Sequence, residues 1–153
     1  MEFGELPPED HTDEPEDWPD TLRTAVDQIR GYLSGERRTF DLPLDLDGTT
    51  DFQRAVYEEL RTVAHGRLTT YGELAAAMER PEAARAVGQA VGANPVPIVI
   101  PCHRVVAADS RLGGFSGGLP AKVALLRLER VTVEGDESSP SSRVRPEILR
   151  LDL

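Results

Sequence analysis

The sequence predicts an α+β protein: a mainly helical domain of helix-turn-helix type, with a short strand carrying the one cysteine and a reduced N-terminal segment ahead of it. Three observations predict it. Apolar residues recur at helical spacing in several separate segments, and two of those segments open on a capping-box pattern. A third stretch, "VPIVIPCHRVV" at 96–106, is aliphatic, too short for a helix and flanked by prolines, which reads as a buried strand. A length of 153 residues with 39% apolar content suits one globular domain plus a small appendage.

Residues 1–17 are acidic, Pro-rich and apolar-poor, the composition of a disordered tail. The segment 18–48 is expected to hold one helix, with Leu22, Val26, Ile29 and Leu33 at helical spacing and Gly35 as its stop, followed by a strand, "TFDLPLDL". Pro43 places that strand at an edge. A compact domain then spans 49–133. It opens with Thr50 and Gln53 as a capping box and a buried stripe of Phe52, Val56, Leu60 and Val63, ended by Gly66. A second capping box, Thr70 with Glu73, starts a short helix through Met78. The turn Glu79-Arg80-Pro81 leads to another helix, "PEAARAVGQAVGAN", and the pair forms a helix-turn-helix candidate. After the cysteine strand come a glycine-rich loop, "SRLGGFSGG", and the helix "LPAKVALLRLERV", with Pro120 at a favoured first helical position. Residues 134–153, rich in Ser, Pro and charge, read as a loosely held tail.

Charge is distributed unevenly. Residues 1–51 hold 15 acids and 4 bases, 52–131 hold 7 acids and 10 bases, and 132–153 hold 5 acids and 3 bases, for a net −10. The central domain is therefore basic within an acidic chain, which keeps a polyanionic partner open. Lys122 is the one lysine among 17 basic residues. Acid excess with almost no lysine suits a high-salt cytoplasm, where charge maintains solubility; a chance acidic tail is the other reading. No apolar run approaches 18 residues, and the N-terminus has neither a basic nor an apolar leader region, so neither a membrane span nor a secretory signal is expected. A single cysteine forms no internal disulfide, and no clustered Cys and His suggest a metal site. A reducing cytoplasm fits that usage.

Two features point to chemistry. Cys102 lies between a proline and His103. A free thiol has a pKa of about 8.5 and needs a base near neutral pH. Neighbouring side chains on a strand point oppositely, so His103 serves Cys102 only through a turn or a water. An inert buried cysteine beside a structural imidazole is the alternative. The second feature is a helix with small side chains throughout, Ala83, Ala84, Ala86, Gly88, Ala90, Gly92 and Ala93, from which Arg85 projects. That suits close approach to a rigid surface, or simply packing against another helix, with Arg85 in a surface ion pair.

The blocks "GTTDFQRAVYEELRTVAHGRLTTYGELA", "RAVGQAVGANPVP", "IPCHRV" and "GGFSGGLPAKVALLRLE" together resemble the O6-alkylguanine-DNA alkyltransferases, in order and spacing, from about Gly48 to Glu129. The resemblance implies a winged-helix type of DNA-binding domain that repairs O6-alkylguanine in duplex DNA, with O4-alkylthymine as a further candidate substrate. The alkyl group would pass irreversibly to Cys102 after the base is flipped out of the stack. His103 would act on Cys102 through a water, with Glu129 orienting it, and Tyr71 would donate a hydrogen bond to the base. The small-faced helix, with Ala84, Ala86 and Gly88, would enter the minor groove, and Arg85 would fill the space left by the base. The backbone of Cys102 and Val105 would read the exocyclic amine, Ser116 would donate to O6, Asn94 would bind backbone around the cysteine, and Arg104 would tie the site to the fold. No cofactor is expected, and the protein is expected to act as a monomer.

This chain departs from that pattern in three places. Its N-terminal part is much reduced, Phe115 stands where the family often has tyrosine, and the zinc ligands of some members are absent. Three competing classes remain: a non-catalytic alkyltransferase-like lesion binder, a Cys-His hydrolase, and a plain winged-helix module with an inert thiol. The first lacks the acceptor cysteine, which is present here. The second has no need of the small-faced helix with Arg85. Thiol reactivity separates the third.

Overall fold

The structure, a computed structural model, describes residues 17–146; the expected tail over 1–17 lies almost wholly outside them, as do residues 147–153. The chain divides into two compact units, Met1–Asp45 and Leu46–Leu153.

In the first unit, α1 spans Asp20–Leu33 and ends at Ser34, just before Gly35, which has φ +83°. Its buried positions are Gln28 and Tyr32, whereas Leu22 is exposed, so the buried face is rotated from the predicted Leu/Val/Ile stripe. No strand forms at "TFDLPLDL". The physical reason is a competing partner: the Gln28 side chain donates to the Asp41 carbonyl at 3.0 Å and accepts from its N–H at 2.9 Å. Those are the two groups a neighbouring strand would have used.

The second unit contains the remaining elements: α2 (Asp51–Arg61), β1 (Thr69–Thr70), α3 (Tyr71–Ala77), α4 (Ala84–Gly92), β2 (Val105–Val106), α5 (Leu119–Leu128), β3 (Val131–Glu134) and β4 (Arg143–Pro146). Both capping boxes form. Thr50 accepts from Gln53 N–H while Gln53 reaches back to Thr50 N–H, and Thr70 and Glu73 do the same for α3. Each satisfies helix-end donors that would otherwise lack partners. On α2 the buried residues are Val56, Tyr57 and Leu60, and the Tyr57 hydroxyl donates to the Ala90 carbonyl at 2.9 Å, joining α2 to α4. The α3–α4 pair turns through Glu79, at φ +61°, and a 3₁₀ turn at Pro81–Ala83.

Two short sheets complete the unit. β1 pairs in parallel with β2, Thr69 opposite Val105 and Thr70 opposite Val106, which holds the start of α3 beside the cysteine turn. β3 and β4 form an antiparallel hairpin with Val131 opposite Pro146 and Val133 opposite Val144. The loosely held tail expected from 134 onward is thus corrected as far as Pro146. Val131, Val133 and Val144 point inward into a core with Val106, Leu112, Val123 and Leu126, and the Ser/Pro-rich stretch between the strands is a hairpin loop. Burial of those valines, each contributing about 1.5–3 kcal/mol, anchors a segment that looks solvated by composition.

Candidate active site

The aliphatic stretch before Cys102 is buried at Val99 and Ile100 but does not extend as a strand; it makes a single bridge, Pro97 to Ile100. Pro95, Pro97 and Pro101 lack the N–H donors a ladder needs. In its place, Asn94 organises a turn, donating to the Ile100 carbonyl at 2.8 Å and accepting from Val96 N–H at 2.9 Å. Ile98 sits at φ +76°, a left-handed conformation that a β-branched residue adopts only under surrounding constraint. Cys102 then opens a 3₁₀ turn, Cys102–Arg104, that runs directly into β2. The turn supplies the change of direction that a strand would have denied to Cys102 and His103.

Cys102 is buried, and burial pushes its thiol above the ordinary value. The Asn94 amide, the backbone N–H groups of Cys102 and His103, and the Lys122 charge favour the thiolate and oppose that shift. The thiol is therefore protonated at neutral pH and needs a base to react. His103 is fully buried, and burial pulls its pKa down despite the opposing Glu129, so the ring is neutral and able to take a proton. Its Nε2 lies 2.5 Å from Glu129 Oε2.

Glu129, at the C-terminal end of α5, is 2% exposed. Burial alone would raise its pKa. Hydrogen bonds from His103 and Arg104, with the charges behind them, hold the carboxyl well below the usual range. Arg104 Nε donates to Oε1 at 2.7 Å and Nη2 to Oε2 at 3.1 Å, while Nη1 donates to the Val63 carbonyl at 2.5 Å. Gly66 N–H adds a further bond to Oε1 at 3.1 Å. Gly66 is at φ +78°, and a β-carbon there would lie 3.3 Å from the Glu129 carbonyl oxygen, so both the turn and the close approach require glycine.

Tyr71, the first residue of α3, is half-buried, and burial followed by the charge of Cys102 raises its phenol pKa. It remains a proton-bearing donor at neutral pH. Its ring packs on Gly88, where a β-carbon would come 3.7 Å from the ring edge. Gly88 is thus small for helix packing, whereas Arg85, Ala86, Gln89, Gly92 and Ala93 make the exposed face of α4 and Ala84 is half-buried. Gln89, absent from the sequence-derived set, shares that face one turn after Arg85. Val105 is buried in β2, Phe115 is half-buried with its ring folded over Gly117, and Ser116 is exposed on the glycine loop.

The residue that sequence reasoning missed is Lys122. It is 1% exposed, and its ammonium donates to the carbonyls of Val105 at 2.7 Å, Leu112 at 2.6 Å and Gly114 at 3.0 Å. It thereby ties the segment after the cysteine turn to the loop bearing Phe115 and Ser116. Burial lowers its pKa to about 8, partly offset by Cys102. A signal was available: "LPAKVALLRL" is apolar on almost every face, so a lysine at its centre has to be buried.

The arrangement places a thiol, a neutral imidazole, an ionised carboxylate and a phenol next to a helix-turn-helix pair, a set able to activate a nucleophile for attack on a bound electrophile. Comparison with known proteins agrees on its kind. Residues 51–131 match the family described as 6-O-methylguanine DNA methyltransferase, DNA binding domain. A methylated-DNA–protein-cysteine methyltransferase of Mycobacterium tuberculosis is 47% identical over 118 residues, covering 77% of this chain and 71% of that protein. One from Haemophilus influenzae is 50% identical over 101 residues, covering 65% of this chain and 56% of its own length. A crystal structure of Mycobacterium tuberculosis OGT in complex with DNA superposes with a TM-score of 0.69 at 49% identity, covering 71% of this chain and 67% of that one.

Proposed function

The chain belongs to the 6-O-methylguanine DNA methyltransferase family, and from that premise we propose how its own residues carry out direct-reversal repair. It is a methylated-DNA–protein-cysteine methyltransferase whose partner is DNA. Its alkyl acceptor, on this reading, is Cys102, the chain's one thiol. The observation that carries the assignment is the buried Glu129–His103 contact of 2.5 Å immediately beside the chain's one thiol.

The reaction runs as a displacement at carbon. A water between His103 and Cys102 carries the thiol proton to the imidazole, and Glu129 stabilises the cation that forms. Sγ then bonds to the alkyl carbon, the C–O6 bond breaks, and guanine leaves with the electron pair. Tyr71 and Ser116 donate hydrogen bonds to the departing purine, while Val105 and the Cys102 backbone read its exocyclic amine. Asn94 holds the turn against recoil, and Phe115 lines the site without the hydroxyl of a tyrosine. O6 is out of reach in a stacked base, so the nucleotide must be extruded, which costs a few kcal/mol. The exposed face of α4, with Ala84 at its start and Ala86 within it, enters the minor groove, and Arg85 occupies the vacated place; Gly88 lets α4 lie close on Tyr71. The protein acts as a monomer, and the single free thiol suits a reducing cytoplasm. Among the described residues no helix is long and apolar enough to cross a membrane. A non-catalytic lesion binder would lack the acceptor thiol, which Cys102 supplies.

The thioether product has no route back, so each molecule repairs one lesion. Intact-protein mass spectrometry after incubation with an oligonucleotide carrying O6-methylguanine should show one methyl increment, located on Cys102. Cys102→Ser should abolish transfer and keep DNA binding. Repeated turnover, or an unmodified Cys102 after repair, would falsify the assignment.

A further inference from the structure

We propose that Arg104 is a positioning residue of the transfer centre: by clamping Glu129 as a pure acceptor, it fixes His103 as the Nε2–H tautomer and leaves Nδ1 as the base toward Cys102. The inference rests on Cys102 being the acceptor and goes beyond the thiol–imidazole–carboxylate set.

The geometry carries it. Arg104 meets Glu129 through two nitrogens, Nε at 2.7 Å and Nη2 at 3.1 Å, a bidentate contact in which both carboxylate oxygens are engaged. Its third contact, Nη1 to the Val63 carbonyl, holds the guanidinium to the segment between α2 and β1, and Gly66 N–H from that segment adds another donor to Oε1. Glu129 is thereby surrounded by donors from three parts of the chain. A carboxylate in that setting offers His103 only an acceptor, so Nε2 must carry the proton. A neutral imidazole with its proton on Nε2 has its lone pair on Nδ1.

Removing Arg104 would reverse the arrangement. Burial pushes the Glu129 carboxyl up, and Arg104 is among the groups that bring it down. Without the guanidinium the carboxyl loses two of its donors and a neighbouring positive charge, so it takes up a proton more readily, although the His103 and Gly66 donors still hold it down. Wherever Glu129 is protonated it donates to Nε2, and the ring proton moves to Nδ1, where no base remains for the thiol. Arg104 acts on both members of this pair and Lys122 on His103, while the Lys122 ammonium is engaged by the carbonyls of Val105, Leu112 and Gly114. Arginine suits the place better than lysine, because its planar fork engages both carboxylate oxygens whereas lysine offers a point charge.

The test uses the full chain labelled with ¹⁵N-histidine and needs no DNA for its first readout. His103 resonances, assigned with His103→Gln, report which ring nitrogen carries the proton. Wild type should show Nε2–H and a basic Nδ1. Arg104→Gln should move His103 toward the Nδ1–H tautomer and slow single-turnover methyl transfer, by up to about 100-fold where Glu129 is protonated, the scale of a lost general base. Its rate should recover as pH rises and Glu129 ionises. Arg104→Lys, which keeps a positive charge, should retain Nε2–H and lose less than about tenfold. An Arg104→Gln protein with the wild-type tautomer and pH profile overturns the proposal, however slow it is. So does a wild-type His103 protonated on Nδ1, which decides the matter even if Arg104→Gln fails to fold. If Cys102 were not the acceptor, the tautomer result would stand and the methyl increment would be missing, so the two failures are distinct.

Discussion

Lys122→Met replaces a buried ammonium by an apolar chain of similar reach, and two effects of opposite sign compete. Lowering the lysine pKa from 10.5 to about 8 corresponds to roughly 3 kcal/mol of penalty for keeping the charge inside, which methionine relieves. Against this, the carbonyls of Val105 and Leu112 are left buried without their donor, and that of Gly114 partly so. An abandoned buried acceptor costs about 1–3 kcal/mol. Two buried carbonyls and one part-buried carbonyl come to about 5 kcal/mol, so the loss wins by roughly 2 kcal/mol. For a chain of this length that is a fall in Tm of about 4–8 °C. Thermal unfolding by circular dichroism measures it. Single-turnover methyl transfer, followed well below the variant's Tm, should slow as well, because the loop bearing Phe115 and Ser116 loses its tie to Val105. A variant as stable as wild type, or more stable, would refute the reasoning and show that the carbonyls do not depend on the ammonium.

Three further outcomes follow from the structure. Because the folded-state pKa of Lys122 is depressed, the unfolded chain binds more protons between about pH 8 and 10.5, and the stability of wild type relative to Lys122→Met should rise across that window; urea titrations of both proteins check it, since tyrosine contributions cancel, and a flat or falling difference contradicts it. Arg85→Ala should slow repair of duplex DNA far more than alkyl transfer from free O6-benzylguanine, which needs no flipping, so equal losses would remove the role assigned to Arg85. If the acidic residues are an adaptation to salt, Tm should rise from about 0.1 to 3 M KCl as screening shortens carboxylate repulsion from its range of about 10 Å at 0.1 M. Repair should persist there, because each phosphate contact weakens binding with a slope of about −0.9 and the charge of the domain suggests few of them; best performance at the low end would make the acidity incidental.

What was legible in the sequence is what local chemistry decides. Thr50 with Gln53 and Thr70 with Glu73 read correctly because a capping box is satisfied within four residues. What was not legible depended on distant partners. Nothing in "TFDLPLDL" reveals that Gln28, 13 residues before Asp41, takes the backbone groups a strand would need. The hairpin beyond 134 was hidden because its Ser/Pro-rich loop dominates the composition, while the three valines that anchor it are spread over 14 positions. The site divides in the same way. Cys102 and His103 announce themselves by adjacency, and Asn94 and Glu129 come through resemblance. The grip of Arg104 and Lys122 on groups as far apart as Val63 and Gly114 exists only in three dimensions.

The bond from Gly66 to Glu129 spans 63 positions of chain, that from Arg104 to Val63 spans 41, and that from Arg104 to Glu129 spans 25. Each of these bonds closes a loop of chain, so none exists until distant segments have come together. Until then Cys102 is an ordinary solvated thiol, open to any electrophile and without the Glu129-oriented imidazole. For a protein that acts once and is consumed by acting, the completed fold is therefore a shelter as well as a site. Burial keeps the thiol protonated and out of reach of stray electrophiles until an alkylated base is presented to it.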